Sequence, residues 1–111
     1  MKPIIPFTDW EKIDLRVGTI LDVEDHPKAD KLYVMKIDFN TEQRTIVAGL
    51  KAHYTKSELK GKQGIFIVNL ESATLRGIES QGMTLAAVSD DETLVCILSP
   101  EKKIPNGSII R

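Results

Sequence analysis

Thr55-Lys56-Ser57-Glu58-Leu59-Lys60-Gly61 is the stretch that decides the fold of this 111-residue chain. A threonine followed three residues later by a glutamate forms a capping box, in which each side chain accepts a hydrogen bond from the other residue's backbone N–H. Gly61 supplies the left-handed residue on which helices commonly end. The spacing therefore predicts one short helix, and what surrounds it reads as strand. Upstream, Lys31–Phe39 alternates, with Tyr33, Met35, Ile37 and Phe39 on one face and Leu32, Val34, Lys36 and Asp38 on the other. Asn40-Thr41-Glu42 is a turn, and Gln43–Leu50 returns as the antiparallel partner. Downstream, Gly64–Leu70 is apolar and β-branched, Met83–Val88 is a further strand, and Thr93–Leu98 follows the turn Ser89-Asp90-Asp91.

Nearer the start, Asp14–Asp25 has period two, with Leu15, Val17, Leu21 and Val23 on one face and Asp14, Arg16, Asp22 and Glu24 on the other. Gly18 interrupts the outer face, as expected where a strand bends to serve two parts of a small barrel. A second capping box, Thr8 with Glu11, predicts a helical turn over Asp9–Ile13, with Phe7 and Trp10 as a lid on the core. Strand-strand-strand-helix-strand-strand is the order of an OB-fold, an all-β, five-stranded Greek-key barrel. An SH3-like barrel and a sandwich edge compete, and the helix between the third and fourth strands favours the OB-fold. One domain is expected over 1–111, with the barrel at about 14–98 and a C-terminal extension at 99–111. OB barrels bind oligonucleotides or oligosaccharides on their second and third strands and adjoining loops.

Composition agrees with a folded, water-soluble domain, at 41% hydrophobic and 28% charged residues. No apolar run approaches the roughly 18 residues of a membrane span, and Met1–Pro6 lacks the apolar middle of a secretory signal. A cytoplasmic location without membrane association is expected. Cys96 is the single cysteine, so no internal disulfide forms; between Val95 and Ile97 a buried, inert thiol is expected. The net charge is −1, but it is unevenly spread: −3 over residues 1–27, +4 over 28–76 and −2 over 77–111. A neutral domain with a cationic face still binds a polyanion, in a salt-dependent way.

The basic segment places Lys28 and Lys31 in the loop after the first strand, and Lys36 and Arg44 on the central hairpin. Leu70–Val88 carries Arg76-Gly77 and Ser80-Gln81-Gly82-Met83, polar and small residues at the opening of a strand, which suit close approach of a ligand or a Gly-rich turn. Arg76 offers a planar fork for phosphate or base edges. Aromatic residues are only 5%, so stacking platforms are limited to Tyr33, Tyr54 and Met83, with Tyr33 equally suited to the core. His26 and His53 stand alone without zinc-ligand spacing and read as loop residues. Ser80 lacks a nucleophile-elbow setting, and the glycines form no phosphate-cradling consensus. No catalytic residue, metal or cofactor is expected.

Asp14-Leu15-Arg16-Val17-Gly18, His26-Pro27-Lys28-Ala29-Asp30-Lys31-Leu32-Tyr33-Val34, Arg44-Thr45-Ile46-Val47-Ala48-Gly49-Leu50, Asn69-Leu70, Leu75-Arg76-Gly77-Ile78-Glu79-Ser80-Gln81-Gly82-Met83 and Pro105-Asn106-Gly107-Ser108 together resemble the tRNA-binding domain appended to methionyl-tRNA synthetases. That domain also occurs free-standing and as a separate β subunit. The resemblance runs from Phe7 onward through several motifs in order. It implies an OB-fold that recognises the shape of tRNA and supplies affinity, not chemistry.

Carried over by position, the resemblance makes Lys31, Arg44, Asn69, Arg76, Ser80 and Met83 the tRNA-facing set. The cations would contact phosphates, Ser80 and Asn69 would bond sugar or base edges, and Met83 would pack on a base or ribose. It further implies a homodimer formed through segments outside the barrel, for which Ser99–Arg111, with Ile104, Ile109 and Ile110, is the candidate; packing on its own barrel is the alternative for that tail. The implied partners are tRNA and the methionyl-tRNA synthetase catalytic subunit. A related group of dimeric, secretion-related chaperone-like proteins binds peptides and shares Arg16-Val17-Gly18 and Ser80-Gln81-Gly82-Met83, whereas Ala29–Val34 leans toward the synthetase branch. The acidity departs from a free tRNA binder, and a dimer with two basic faces would compensate.

Overall fold

A computed structural model describes residues 1–111. Its elements are α1 (Phe7–Trp10), β1 (Leu15–Asp25), β2 (Tyr33–Asp38), β3 (Gln43–Ala48), α2 (Lys56–Leu59), β4 (Gln63–Ile67), β5 (Ala73–Leu75), β6 (Ile78–Ser80), β7 (Met83–Thr84), β8 (Ala86–Val88) and β9 (Val95–Ile97). The main sheet is antiparallel, ordered β3-β2-β1-β4-β7. It curls until β3 meets the chain at Ser80-Gln81. There Gln81 N donates to Thr45 O at 2.8 Å, Thr45 N to Gln81 Oε1 at 3.0 Å and Val47 N to Ser80 Oγ at 3.0 Å. The result is the expected all-β, OB-like five-stranded barrel.

The capping box of α2 forms as read: Glu58 N donates to Thr55 Oγ1 at 3.3 Å and Thr55 N to Glu58 Oε1 at 2.8 Å. Its purpose in the fold is to aim Leu59 into the barrel, where that side chain is fully buried with Ile20, Met35, Ile37, Ile46 and Phe66. Gly61, at φ +90°, then turns the chain back so that its N–H reaches Ile20 O at 2.7 Å. The alternation of β2 is also observed, with Tyr33, Met35, Ile37 and Phe39 all buried.

β1 serves two cores, and this overturns the expected single face. Leu15 and Val17 join Ile65 in a small outer cluster with Trp10, Ile67, Leu85 and Ile110. Ile20 and Val23 belong to the barrel interior. A register shift between Ile20 and Asp22 in the pairing with β2 makes Leu21 the extra residue, which is left exposed. Gly18 is buried and faces inward, where an added Cβ would lie 2.6 Å from Ile37 Cγ2 and 2.9 Å from Phe39 Cε1. It is glycine because the interior is full, not because the outer face bends.

Other expectations need correction. Thr8 lies inside α1, whose N-cap is Pro6 with no side-chain cap, so the first capping box does not form. Trp10 packs on the outer cluster but Phe7 is 70% exposed. The expected strand Met83–Val88 is two strands, β7 paired with β4 and β8 with β9, parted at Leu85, whose N–H still bonds Ile65 O of β4. Cys96 is exposed, because Val95 and Ile97 take the inward positions of β9. The connection before Met83 contains a hairpin, β5–β6, turning at Arg76-Gly77 with φ of 51° and 90°. Positive φ at both central residues is the twist-matched two-residue turn.

The C-terminal segment packs on its own barrel. Val17 N donates to Ser108 O, Gly107 N to Val17 O and Ile110 N to Leu15 O, at 2.8–2.9 Å. Ile110 is half-buried in the outer cluster, while Ile104 and Ile109 remain exposed. Replacing Leu59→Ala removes the plug set by α2 and is expected to destabilise the barrel by about 2–5 kcal/mol in urea unfolding, with little change in circular dichroism of the folded state.

Candidate nucleic-acid interface

Three loops meet at one end of the barrel. His26, only 5% exposed, accepts at Nδ1 from Lys28 N at 3.0 Å, so its Nε2–H donates to Leu75 O at 2.9 Å. This imidazole ties the β1–β2 loop to the β5–β6 hairpin beside Arg76. Asp25, at the end of β1, holds the β3–α2 loop through Lys51 and the first residue of α2 through Lys56, each ammonium 3.2 Å from a different carboxylate oxygen. Bonds from Lys51 and then Lys56 lower the Asp25 pKa from its usual value. Lys28, Lys31, Lys51, Lys56 and Arg76 are all exposed here.

Of the six residues predicted to face tRNA, the structure brings Lys31 and Arg76 to this end. Arg44 does not join them. It lies at the opposite end of the β2–β3 hairpin, roughly 15–20 Å away at about 3.3 Å per strand residue, and its guanidinium is occupied: Nε and Nη2 donate to Glu42, and Nη1 to Val68 O and Gln81 O. Asn69 is likewise a structural bolt, accepting from Asp14 N at 2.8 Å and donating to Lys12 O. Ser80 is 4% exposed; its hydroxyl accepts from Val47 N and donates to Gly82 O at 3.0 Å, so its one donor is spent inside the fold. Met83 is 49% exposed on β7, near Ile67 rather than the lysines.

The aromatic candidates are also absorbed by the fold. Tyr33 is in the core and donates to Tyr54 O at 2.7 Å; Tyr54 accepts at its hydroxyl from Ile97 N and carries the Lys62 ammonium over its ring. Lys36, on the open sheet face, lies across from Asp22 with Glu24 alongside, so the face that OB barrels commonly use is not cationic here. The Arg44 end holds a cavity of about 270 Å³ lined by Arg16, Arg44, Asp14 and Glu42 among others. Each arginine there is paired with a carboxylate, Arg16 to Asp14 at 2.6 Å and Arg44 to Glu42 at 3.1 Å. No group of three metal-ligating side chains occurs.

Sequence reasoning missed His26, Lys51 and Lys56. The partner of His26 is 49 residues away, and the lysines read as ordinary loop and helix charges. What gathers them is tertiary. A small barrel with its helix between the third and fourth strands, collecting cations from separate loops at one end, belongs to the OB class of ligand-binding modules. Within that class the chain belongs to the tRNA-binding domain family: residues 15–109 match the family described as "Putative tRNA binding domain".

The methionine–tRNA ligases of Thermococcus onnurineus and Pyrococcus horikoshii are 53% and 51% identical over 107 residues, which is 96% of this chain but 14% of each of those proteins. The chain thus spans about a seventh of the length of these curated relatives. The crystal structure of a MetRS-related protein from Pyrococcus horikoshii is similar with a TM-score of 0.93 at 31% identity, covering 99% of this chain and 100% of that one. The chaperone CsaA of Bacillus anthracis is similar with a TM-score of 0.89 at 27% identity, covering 98% and 100%.

Two measurements check this account. Ser80→Ala strands the buried Val47 N–H at the seam and is expected to destabilise the protein by about 1–3 kcal/mol in denaturant unfolding. The bond from Arg44 holds the Glu42 carboxyl below its ordinary 4.5. A depressed folded pKa stabilises above the unfolded value and loses that contribution as pH falls through the folded one. Stability should therefore decline as pH drops below about 4.5, and Glu42→Gln should remove part of that decline in acid-unfolding curves.

Proposed function

We propose that this chain is a non-catalytic tRNA-docking module that recognises tRNA by shape and backbone charge, acting free-standing or as an accessory β subunit beside a methionyl-tRNA synthetase catalytic subunit. The observation that carries the reading is the His26–Leu75 bond, which fastens the loop bearing Lys31 to the hairpin bearing Arg76 at one end of the barrel. Lysine there is a point charge for phosphate oxygens, and arginine adds a fork. Membership of the tRNA-binding family and likeness to methionine–tRNA ligases support the choice of tRNA. A homodimer and a cytoplasmic location belong to the same proposal. Exposed apolar groups that could meet a second copy include Ile4, Ile5 and Phe7 near the start and Ile104 and Ile109 near the end.

A second reading, a dimeric peptide-binding chaperone-like protein, is favoured by the similarity to CsaA. The two are separated by titrating labelled unfractionated tRNA and an unfolded peptide against one preparation. Under the main reading tRNA binds and weakens steeply with salt, and Lys31→Ala with Arg76→Ala lowers affinity about equally for all tRNAs, with the slope of log affinity against log salt reduced by about 1.5. Salt-insensitive or absent tRNA binding alongside suppressed aggregation of the unfolded client would transfer the assignment to the chaperone reading.

A further inference from the structure

The tRNA-docking reading, on which the following rests, names Lys31 and Arg76 as contacts and leaves a neighbouring arrangement unused. Asp25 sits between two lysines from different elements, Lys51 in the β3–α2 loop and Lys56 at the start of α2, each bonded to its own carboxylate oxygen at 3.2 Å. The three groups form a cluster with one uncompensated positive charge, and all are partly exposed. Asp25 immediately precedes His26, whose Nε2 bond to Leu75 O carries the hairpin bearing Arg76 to the same end. Lys28 and Lys31 follow within the same loop.

The segments Asp25–Lys31, Lys51–Lys56 and Leu75–Ile78 hold five cations against the two carboxylates Asp25 and Asp30, net +3, while the rest of the chain holds ten against fourteen, net −4. These loop segments thus carry a local excess of positive charge suited to a polyanion, with Glu24, Glu58 and Glu79 close to them in sequence. A flexible lysine loses rotamer freedom when it binds. A carboxylate that holds two ammonium groups in place before the ligand arrives lessens that loss. An ammonium has three donors, so each lysine can keep its bond to Asp25 and still donate outward.

The geometry points to Lys51 and Lys56, held by Asp25, as a second phosphate-binding subsite that engages the RNA backbone beside the Lys31–Arg76 contacts. The subsite reads no base, because an ammonium is a point charge and phosphate contacts carry no sequence information. It widens the footprint across the β3–α2 loop, away from the acidic sheet face at Asp22 and Glu24.

The test uses the full chain and unfractionated tRNA, with affinity measured from about 50 to 200 mM salt. Lys51→Gln with Lys56→Gln is expected to weaken binding about 10-fold or more at 100 mM and to lower the salt slope by about 1.5. Lys51→Arg with Lys56→Arg should keep the slope. Lys102→Gln with Lys103→Gln, which removes the same charge from the C-terminal extension, should change affinity less than about 2-fold. Unfolding curves and circular dichroism of each variant establish that the fold is intact. If wild type binds but the Lys51/Lys56 variant matches it, or loses no more than the Lys102/Lys103 variant, the subsite is wrong while tRNA docking stands. If wild type itself binds no tRNA, the docking reading fails and the subsite with it.

Discussion

β3 finds its last partner not in a full strand but in a serine hydroxyl, a glutamine amide and one backbone N–H. The Val47 N–H ends on Ser80 Oγ, and both polar groups of the Thr45 backbone end on Gln81. A buried amide left without a partner costs about as much as the hydrogen bond it should have made, so this seam constrains everything beyond it. Fixing Ser80 against Val47 fixes β6, fixing β6 fixes β5, and the turn between them then falls beside the β1–β2 loop, where His26 fastens it. The cationic end is thus downstream of barrel closure. Arg44 reinforces the same join from below, through Val68 O and Gln81 O.

Much of the barrel was legible because local and global signals agreed. Thr55, Glu58 and Gly61 mark a short helix whose Leu59 has one place to go, and the alternation of β2 matches a strand with one buried face. Where the reading went astray, a tertiary demand replaced the local rule. Period two fails along β1 because that strand is buried on opposite faces at its two ends and carries an extra residue at Leu21. The hairpin at Ala73–Ser80 was invisible because three-residue strands carry too little alternation to register, and Arg76-Gly77 is not the usual asparagine–glycine pair.

The site divided along a different line. Lys31 and Arg76 were legible as free cations, since long exposed side chains on loops keep their donors for a partner. Arg44, Asn69 and Ser80 have the same donor and acceptor chemistry, and sequence alone does not tell a group that meets a ligand from one that satisfies its own backbone. In this chain all three bond the backbone. Lys51 and Lys56 were overlooked for the converse reason: their common counterion, Asp25, lies more than 20 residues earlier. The net charge of −1 hides this, but the segmental count, +4 over 28–76, already marks the cationic middle of the chain.

The segment Gly107–Ile110 runs beside β1 where β2 has already departed, so β1 is flanked by β4 and this strap at one end and by β2 at the other. The longest strand of the molecule, eleven residues, is thus bonded on both flanks over residues 15–20 and by β2 alone over residues 22–25. The edges left open on β1, over residues 22–25, and on the outer side of β5 are four and three residues long. Edges this short are poor templates for recruiting a strand from a neighbouring molecule, which is how a small β protein blunts them without covering them.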